Sequence, residues 1–179
     1  MVVDAAAERP DVPNEYLEQG ADVVCYSGGK VLRGPQSGGL MIGKRGILDA
    51  AQNNQSPNGG IGRSMKVGKE EYMGMLAAVE QWVKRDHVKE WSEWERRLNV
   101  IAEAVADYPG MEVTYVDNKH RKANVAPELH IACKDGLAIQ KALDEGTPRI
   151  QCFGAANDVY FMPHMMEPGD DVKVRDRLL

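Results

Sequence analysis

The chain has 179 residues, of which 43% are hydrophobic and 27% charged, proportions typical of a globular protein that buries a core. A net charge of −5, without a block of basic residues, argues against a large nucleic-acid-binding surface. No apolar run is long enough to cross a bilayer, and no signal peptide opens the chain. Three separated cysteines and four histidines lack the spacing of a disulfide framework or a metal site. We therefore expect a cytoplasmic protein without a metal.

The first part of the chain alternates apolar strands with short helices. A strand is predicted at MVVDAAA, ending at Asp4, and a second at ADVVCYS. Between them lies a short helix, NEYLEQG, with Asn14 as its N-cap and Gly20 as its end. This order predicts a parallel βαβ unit buried on both faces. A third strand, GGLMIGK, precedes the helix RGILDAAQ and the loop NNQSPNGGIGR.

A long helical region and a smaller α+β unit follow. Between residues 68 and 108 apolar residues recur at the spacing of an amphipathic helix, which Pro109 and Gly110 end. The charged stretch KRDHVKEW within it is either a bend or a solvated face. Residues 109–179 then predict the strands MEVTYV, ELHIAC, PRIQCF and DVYFMP, the helix DGLAIQKALDEG and a last helix opened by EPGDD. The predicted division is therefore 1–67, 68–108 and 109–179.

The turn after the second strand carries the candidate chemistry. Lys30 offers an amine, Ser27 and its adjacent backbone amides suit a phosphate, and Gly28 and Gly29 leave space for a flat ring. Asp4 ends the neighbouring parallel strand, so we expect its carboxylate at the same sheet edge, where open α/β sheets bind ligands. An amine for a Schiff base, a carboxylate for a pyridinium nitrogen and phosphate donors together match pyridoxal phosphate.

A nucleotide-binding loop is the competing interpretation of the same region. GGLMIGK, residues 38–44, has the glycine and lysine spacing of a P-loop. However, Arg45 stands where a Ser or Thr would hold magnesium, and the intervening residues are typical of a strand. We interpret this match as a coincidence.

Several longer motifs resemble a known family. VDAAAERP, SGGKVLRGPQ and SPNGGIGRSMKVGKEE are similar to the second half of fold-type I pyridoxal-phosphate enzymes. The group they resemble contains selenocysteine synthase (L-seryl-tRNA(Sec) selenium transferase) and D-glucosaminate-6-phosphate ammonia-lyase. The likeness covers nearly the whole chain and is strongest from Val2 to Glu80. SGGKVLRGPQ resembles the ammonia-lyase branch, whereas selenocysteine synthases tend to carry an aspartate where this chain has Gly29.

The resemblance implies a fold and an organisation. The fold class is α/β, fold-type I and transferase-like, with part of a large domain built on a parallel sheet and a C-terminal α+β small domain. Residues 1–67 would be the C-terminal part of the cofactor-binding domain, 68–108 the connecting helix region and 109–179 the small domain. Enzymes of this fold also have an N-terminal half that stacks on the cofactor ring. We therefore expect the present chain to be an N-terminally truncated fragment.

The resemblance also implies roles for individual residues. Lys30 and Asp4 would be catalytic, and the cofactor-binding residues would be Asp4, Ser27, Lys30, Arg33 and Ser64. The substrate would be bound by Arg63, Lys66 and Arg149. The alternatives are a structural arginine at Arg33, an ordinary polar loop at Arg63, Ser64 and Lys66, and a solvated strand arginine at Arg149. The loop that carries Arg63, Ser64 and Lys66 crosses a dimer interface in related folds, so a homodimer or higher homo-oligomer is expected.

The function implied is that of a pyridoxal-phosphate-dependent lyase. It would release ammonia from a 2-amino-3-hydroxy acid, an amino acid or an amino sugar acid such as D-glucosaminate 6-phosphate. One alternative is an L-seryl-tRNA(Sec) selenium transferase, which predicts a basic tRNA-docking region that the net charge of −5 does not offer. The other is a non-catalytic fragment or subunit that binds no cofactor.

Overall fold

The computed structural model of the chain describes residues 1–118 and 125–179. His120, one of the four histidines without metal-ligand spacing, lies outside the described residues. Contacts between residues divide the described chain into two compact units. The first contains residues 1–85 and Val125, and the second contains residues 86–118 and 126–179.

The first unit is built on a three-stranded sheet of order β1-β2-β3. Its elements are β1 (Val2–Asp4), α1 (Glu15–Glu18), β2 (Val23–Ser27), β3 (Gly39–Gly43), α2 (Arg45–Asn54), a 3-10 turn (Arg63–Met65) and α3 (Lys69–Lys84). Strands β1 and β2 are parallel, as predicted, but β3 runs antiparallel to β2. The sheet is therefore mixed rather than parallel throughout, because the connection from β2 to β3 lacks the crossover helix that usually joins parallel strands.

The predicted strand–helix–strand connection is confirmed in detail. The Asn14 Oδ1 atom accepts a hydrogen bond from Leu17 N at 3.3 Å, and Gly20 follows the helix with φ +96°. Asn14 Nδ2 also donates to the Tyr26 hydroxyl at 2.7 Å, which ties the start of α1 to β2. Burial, the largest cause, raises the pKa of Tyr26, so this phenol stays neutral and can accept the bond.

The core of the first unit lies between the sheet and α3. Val24 on β2 is fully buried, but Val2 on β1 is 71% exposed because β1 is an edge strand. The prediction of burial on both faces therefore holds for β2 and is wrong for β1. The guanidinium groups of Arg9 and Arg85 lie over the Trp82 ring, with their Cζ atoms 4.8 and 5.4 Å from its centroid. The buried apolar cluster consists of Ala5, Ala21, Val24, Tyr26, Leu32, Met75 and Trp82.

The helical region is two helices rather than one. Helix α3 ends at Lys84, and α4 (His87–Val105) begins after a break at Arg85 and Asp86. Asp86 has an extended backbone, and its Oδ1 accepts a hydrogen bond from Lys89 N at 2.9 Å, so it is an N-cap. KRDHVKEW therefore contains a bend. The division into residues 1–67, 68–108 and 109–179 remains a prediction about functional parts. Along the chain, the two compact units defined by contacts meet between Arg85 and Asp86.

The second unit is an α+β arrangement. After α4 its elements are β4 (Glu112–Val116), β5 (Glu128–Ala132), α5 (Gly136–Glu145), β6 (Phe153–Ala155), β7 (Asp158–Phe161) and α6 (Asp170–Leu178). The strands form an antiparallel sheet of order β4-β5-β7-β6. Alternate residues such as Leu129, Ile131 and Val159 enter one buried cluster with α4, α5 and α6.

One strand of the second unit is shorter than predicted. PRIQCF was expected to be a strand, but pairing with β7 begins only at Phe153. Ile150 N instead donates to Leu143 O at 2.9 Å, which holds this segment against α5. Within the described part of the chain, no helix has both the length and the apolar character needed to cross a membrane.

Candidate active site

Lys30 lies in a closed turn at the carboxyl end of β2. Gly28 N donates to Gly38 O at 2.9 Å and Gly34 N donates to Gly28 O at 2.7 Å, so the loop closes on itself twice. Arg33 N donates to Lys30 O at 2.9 Å within it. The Lys30 side chain is exposed, and no partner for its amine occurs among the residues that the structure describes. This amine is accessible for reaction.

Asp4 lies at the same sheet edge as this turn. It ends β1 and stands opposite Cys25 of the parallel strand β2, which ends at Ser27. Its carboxylate is exposed, and Oδ1 accepts a hydrogen bond from Ala6 N at 3.1 Å. That bond orients the carboxylate and leaves Oδ2 available for a ligand. The carboxyl ends of two parallel strands thus bring Asp4 and Ser27 to one edge.

The backbone amides next to Ser27 are not available for a phosphate. Ser27 N donates to Ala6 O at 3.1 Å, and Gly28 N donates to Gly38 O at 2.9 Å. The expectation that these two amides hold a phosphate is therefore wrong, because each is already used to fix the turn. The half-buried Ser27 hydroxyl remains as a donor.

The space beside Gly28 and Gly29 is filled by the protein itself. A Cβ atom on Gly28 would lie 2.3 Å from Met75 Sδ, and one on Gly29 would lie 2.3 Å from Gln36 Oε1. Gln36 Nε2 also donates to Gly29 O at 3.3 Å. The Cβ directions of Gly28 and Gly29 are therefore occupied by side chains of the same chain, and the approach of a flat ring to their main chain stays a prediction. The sequence carried no signal for Met75, which lies far from this loop along the chain.

Arg33 has an unusual backbone. Its φ is +57°, in the left-handed region that costs a residue with a Cβ atom about 1–2 kcal/mol. It is the first residue after Leu32, whose side chain is buried in the core. The exposed arginine is therefore held at the rim of the turn by the packing of its neighbour.

Arg63, Ser64 and Lys66 lie together on the loop before α3. Arg63 Nη1 donates to Ser56 Oγ at 3.0 Å, while all three side chains are exposed. Gly62 N donates to Asn54 O at 2.8 Å, which ties this loop to the end of α2. The loop therefore presents two cations and a hydroxyl to its surroundings.

Arg149 belongs to the second unit. Its Nε donates to Asp144 Oδ1 at 2.8 Å, and its side chain is 70% exposed. Such an exposed ion pair contributes little to stability and can exchange partners. Its assignment to substrate binding stays a prediction.

The groups at this edge fit the chemistry of pyridoxal phosphate. Lys30 supplies an accessible amine, Asp4 an oriented carboxylate and Ser27 a hydroxyl. An amine that bonds to an aldehyde, an anion for a ring nitrogen and a donor for a phosphate are the groups this cofactor requires.

Comparison with known proteins decides the family. The family model described as SelA, L-seryl-tRNA selenium transferase, matches residues 5–106, more than half of the chain. The chain belongs to this family. The match includes β2, the Lys30 turn, β3 and α3, so Ser27, Lys30 and Arg33 lie within the SelA region, while Asp4 directly precedes it.

Two curated relatives of this SelA-family chain carry different names. A 5'-C-glycyluridine monooxygenase-decarboxylase from a Streptomyces species is 38% identical over 62% of this chain and 26% of that protein. A D-glucosaminate-6-phosphate ammonia lyase from Salmonella typhimurium is 33% identical over 70% of this chain and 31% of that protein. The chain thus spans about a third or less of the length of these relatives.

A solved structure supports the fold class. The structure of D-glucosaminate-6-phosphate ammonia-lyase matches with a TM-score of 0.72 at 23% identity, covering 99% of this chain and 47% of that one. The predicted α/β fold of the fold-type I class, present as a partial domain, is confirmed. The resemblance to the selenocysteine synthase and ammonia-lyase group is confirmed as well.

Proposed function

We propose that the chain is the lysine-bearing part of a pyridoxal-phosphate-dependent lyase. The observation that carries this proposal is the accessible Lys30 amine in a closed turn at the sheet edge where Asp4 ends the parallel strand β1. Membership of the SelA family and the likeness to an ammonia lyase support it. A homodimer or higher homo-oligomer is part of the same proposal, and the exposure of Arg63, Ser64 and Lys66 supports it because these side chains would then be available to a neighbouring subunit.

Five residues would hold the cofactor. Lys30 would bind it covalently through Nζ, and Asp4 would accept a hydrogen bond from the ring nitrogen. Ser27, Arg33 and Ser64 would donate to its phosphate. When bound, pyridoxal phosphate supplies an electron sink for the charge left at the substrate Cα.

The chain's own groups would then move protons. The Lys30 amine, released when the substrate amine takes its place, would remove the Cα proton as a general base. Asp4 would hold a proton at the ring nitrogen, because a nearby anion favours the cationic form of that nitrogen. The β-hydroxyl leaves as water and hydrolysis of the remaining carbon–nitrogen bond consumes one water. The products are ammonia and a 2-keto-3-deoxy acid.

We propose D-glucosaminate 6-phosphate, or a similar amino sugar acid, as the substrate. Its carboxylate and phosphate need cations, which Arg63, Lys66 and Arg149 would supply. Arg63 is bonded to Ser56 and Arg149 is paired with Asp144, so both would exchange a weak surface partner for the substrate. The likeness to the Salmonella ammonia lyase supports this choice.

Selenium transfer to seryl-tRNA is the second candidate, favoured by the description of the matching family. It would use the same lysine on serine esterified to tRNA. The net charge of −5 and the lack of a basic block favour the small substrate instead.

Exchange of the substrate Cα proton in D₂O tests the proposal. The chain loaded with pyridoxal phosphate is incubated with D-glucosaminate 6-phosphate or with L-serine, and the loss of the Cα–H signal and the release of ammonia are measured. We expect exchange with the sugar acid, none with Lys30→Ala, and an unchanged rate with the matched control Lys69→Ala. Equal exchange by the wild type and Lys30→Ala would contradict the proposal, and so would a folded, loaded chain that exchanges neither substrate.

A further inference from the structure

Three glycines of the Lys30 loop surround one side chain of α3. A Cβ atom on Gly28 would lie 2.3 Å from Met75 Sδ, one on Gly34 would lie 3.0 Å from the same atom, and one on Gly38 would lie 2.6 Å from Met75 Cγ. Met75 itself is 7% exposed. We call this arrangement the Met75 socket, formed by Gly28, Gly34 and Gly38. At Gly28 and Gly38 a Cβ atom would overlap the Met75 side chain, and at Gly34 it would be in tight contact with the thioether.

The Met75 socket coincides with the bonds that close the loop. Gly38 O accepts from Gly28 N at 2.9 Å, and Gly28 O accepts from Gly34 N at 2.7 Å. Lys30 lies between Gly28 and Gly34, inside the turn that the second bond closes. The three glycines that surround Met75 are thus the residues whose backbones form these two bonds.

Two further contacts attach the same loop to α3. Ser37 Oγ and Glu71 Oε1 are 3.3 Å apart, and a Cβ atom on Gly74 would lie 2.6 Å from Pro35 Cγ. The loop therefore packs against consecutive turns of α3. Met75 is the α3 residue whose side chain inserts between the glycines of the loop. A shift of the Met75 side chain would leave a cavity between α3 and the Lys30 turn.

We infer that Met75 is a positioning residue for Lys30. The Met75 side chain fills the space between α3 and the loop. It would thereby hold the turn in one conformation, with the Lys30 amine on the exposed side. This inference rests on the proposed role of Lys30. The reaction of a lysine with a bound aldehyde depends on the placement of its amine, so a loosened turn lowers the rate at Lys30 more than at other lysines.

The first test compares Met75→Ala with two other variants. Met73→Ala is the matched control, because Met73 lies on the same helix but is 65% exposed. Met75→Leu tests rescue by a side chain of similar volume. One readout needs no cofactor: hydrogen exchange at the amides of Gly28 and Gly34, relative to that of Val24 in the core strand β2. The other is the initial rate of borohydride trapping of pyridoxal phosphate at Lys30, relative to that at Lys69.

We expect Met75→Ala to speed exchange at Gly28 and Gly34 by about tenfold relative to Val24. The Lys30-to-Lys69 trapping ratio should fall by about threefold to tenfold. Met73→Ala and Met75→Leu should stay close to the wild type. An equal change at all three amides, or an unchanged trapping ratio, would show that Met75 is only a core contact.

A pair of compensating substitutions, one that adds a Cβ atom and one that shortens Met75, provides a second test. Gly38→Ala places a Cβ atom 2.6 Å from Met75 Cγ, whereas the nearest atom beyond Met75 is Pro35 O at 3.6 Å. We expect Gly38→Ala to disturb the loop and the double variant Gly38→Ala with Met75→Ala to restore much of the protection. Gly28→Ala should not be rescued, because its Cβ also meets Pro35 O at 2.6 Å and Gly38 O at 2.8 Å.

The two claims can fail separately. If the wild type shows no preference for Lys30 in borohydride trapping, the proposed function fails. Hydrogen exchange at the Gly28 and Gly34 amides then tests by itself whether the Met75 socket holds the loop. If pyridoxal phosphate labels Lys30 in the wild type but the effects of Gly38→Ala and Met75→Ala simply add in the double variant, the positioning role of Met75 is overturned.

Discussion

Asp4 stands opposite Cys25 across the parallel strands β1 and β2, two positions before Ser27 on the strand that leads to Lys30. This register places a carboxylate and an amine at one sheet edge without any direct bond between them. A cofactor with a basic nitrogen and an aldehyde can join such groups, and the predictions on Asp4 and Arg33 test this arrangement.

Asp4→Asn should weaken cofactor binding without unfolding the chain. The carboxylate is exposed, and its recorded bond within the chain is to Ala6 N, so the folded state loses little. Loss of a charge-assisted hydrogen bond should raise the dissociation constant for pyridoxal phosphate by about 10- to 100-fold. A spectrophotometric titration measures this, with Asp11→Asn as an exposed control in the next loop. Equal affinity of Asp4→Asn and wild type would remove Asp4 from the cofactor site.

Arg33 should show opposite effects on stability and binding. Because its φ is +57°, Arg33→Gly should be more stable to urea than Arg33→Ala by about 1 kcal/mol. Both variants lose the guanidinium, so both should bind pyridoxal phosphate more weakly than the wild type. Binding equal to the wild type in both would make Arg33 purely a turn residue.

His130 should stabilise the second unit through the contacts of its two ring nitrogens with carboxylates. Its Nδ1 lies 2.9 Å from Asp158 Oδ2, its Nε2 lies 3.1 Å from Glu128 Oε2, and its ring stacks on Tyr160 at 5.0 Å. His130→Phe keeps an aromatic ring and removes both ring-nitrogen contacts, so we expect a loss of about 1–3 kcal/mol of unfolding free energy. Urea denaturation followed by circular dichroism measures it. If His130→Phe leaves the free energy of unfolding unchanged, only the stacking of the ring on Tyr160 contributes to stability at this position.

Glu93 should make the stability of the second unit sensitive to acid. Hydrogen bonds from Arg96 and then Arg97 lower the pKa of Glu93 to about 2 from its model-compound value of 4.5. A lowered folded-state pKa stabilises the fold above pH 4.5, and that contribution is lost as the pH falls toward 2. Denaturation at pH 7 and pH 3 should therefore show a smaller acid-induced loss in Glu93→Gln than in the wild type. Identical losses would contradict this role.

The cysteines should differ in reactivity. Burial raises the pKa of Cys152 to about 11 and also raises the pKa of Cys133, whereas Cys25 is only half-buried. Thiolate is the reactive form, so iodoacetamide at pH 8 should label Cys25 first in the folded chain. All three should react in denaturant. Early labelling of Cys152 would contradict the packing of the second unit.

Local features of the sequence predicted the part of the site that depends on short motifs. The strand ending at Asp4, the cap at Asn14 and the turn at Lys30 each follow from neighbouring residues. The direction of β3 and the shortened β6 depend on pairing between strands, which local patterns do not specify. Met75 could not be predicted, because only the folded α3 brings it to the glycine loop. The glycines of the turn were recognised from the sequence, but the packing of Met75 and Gln36 beside them was not.

Borohydride trapping of pyridoxal phosphate, followed by peptide mapping, tests the central claim most directly. Circular dichroism first establishes that the chain is folded, and Lys30→Ala serves as the comparison. We expect one reduced adduct on the peptide that contains Lys30, and none on that peptide in the variant. A folded chain with no adduct, or with label spread evenly over its surface lysines, would contradict it.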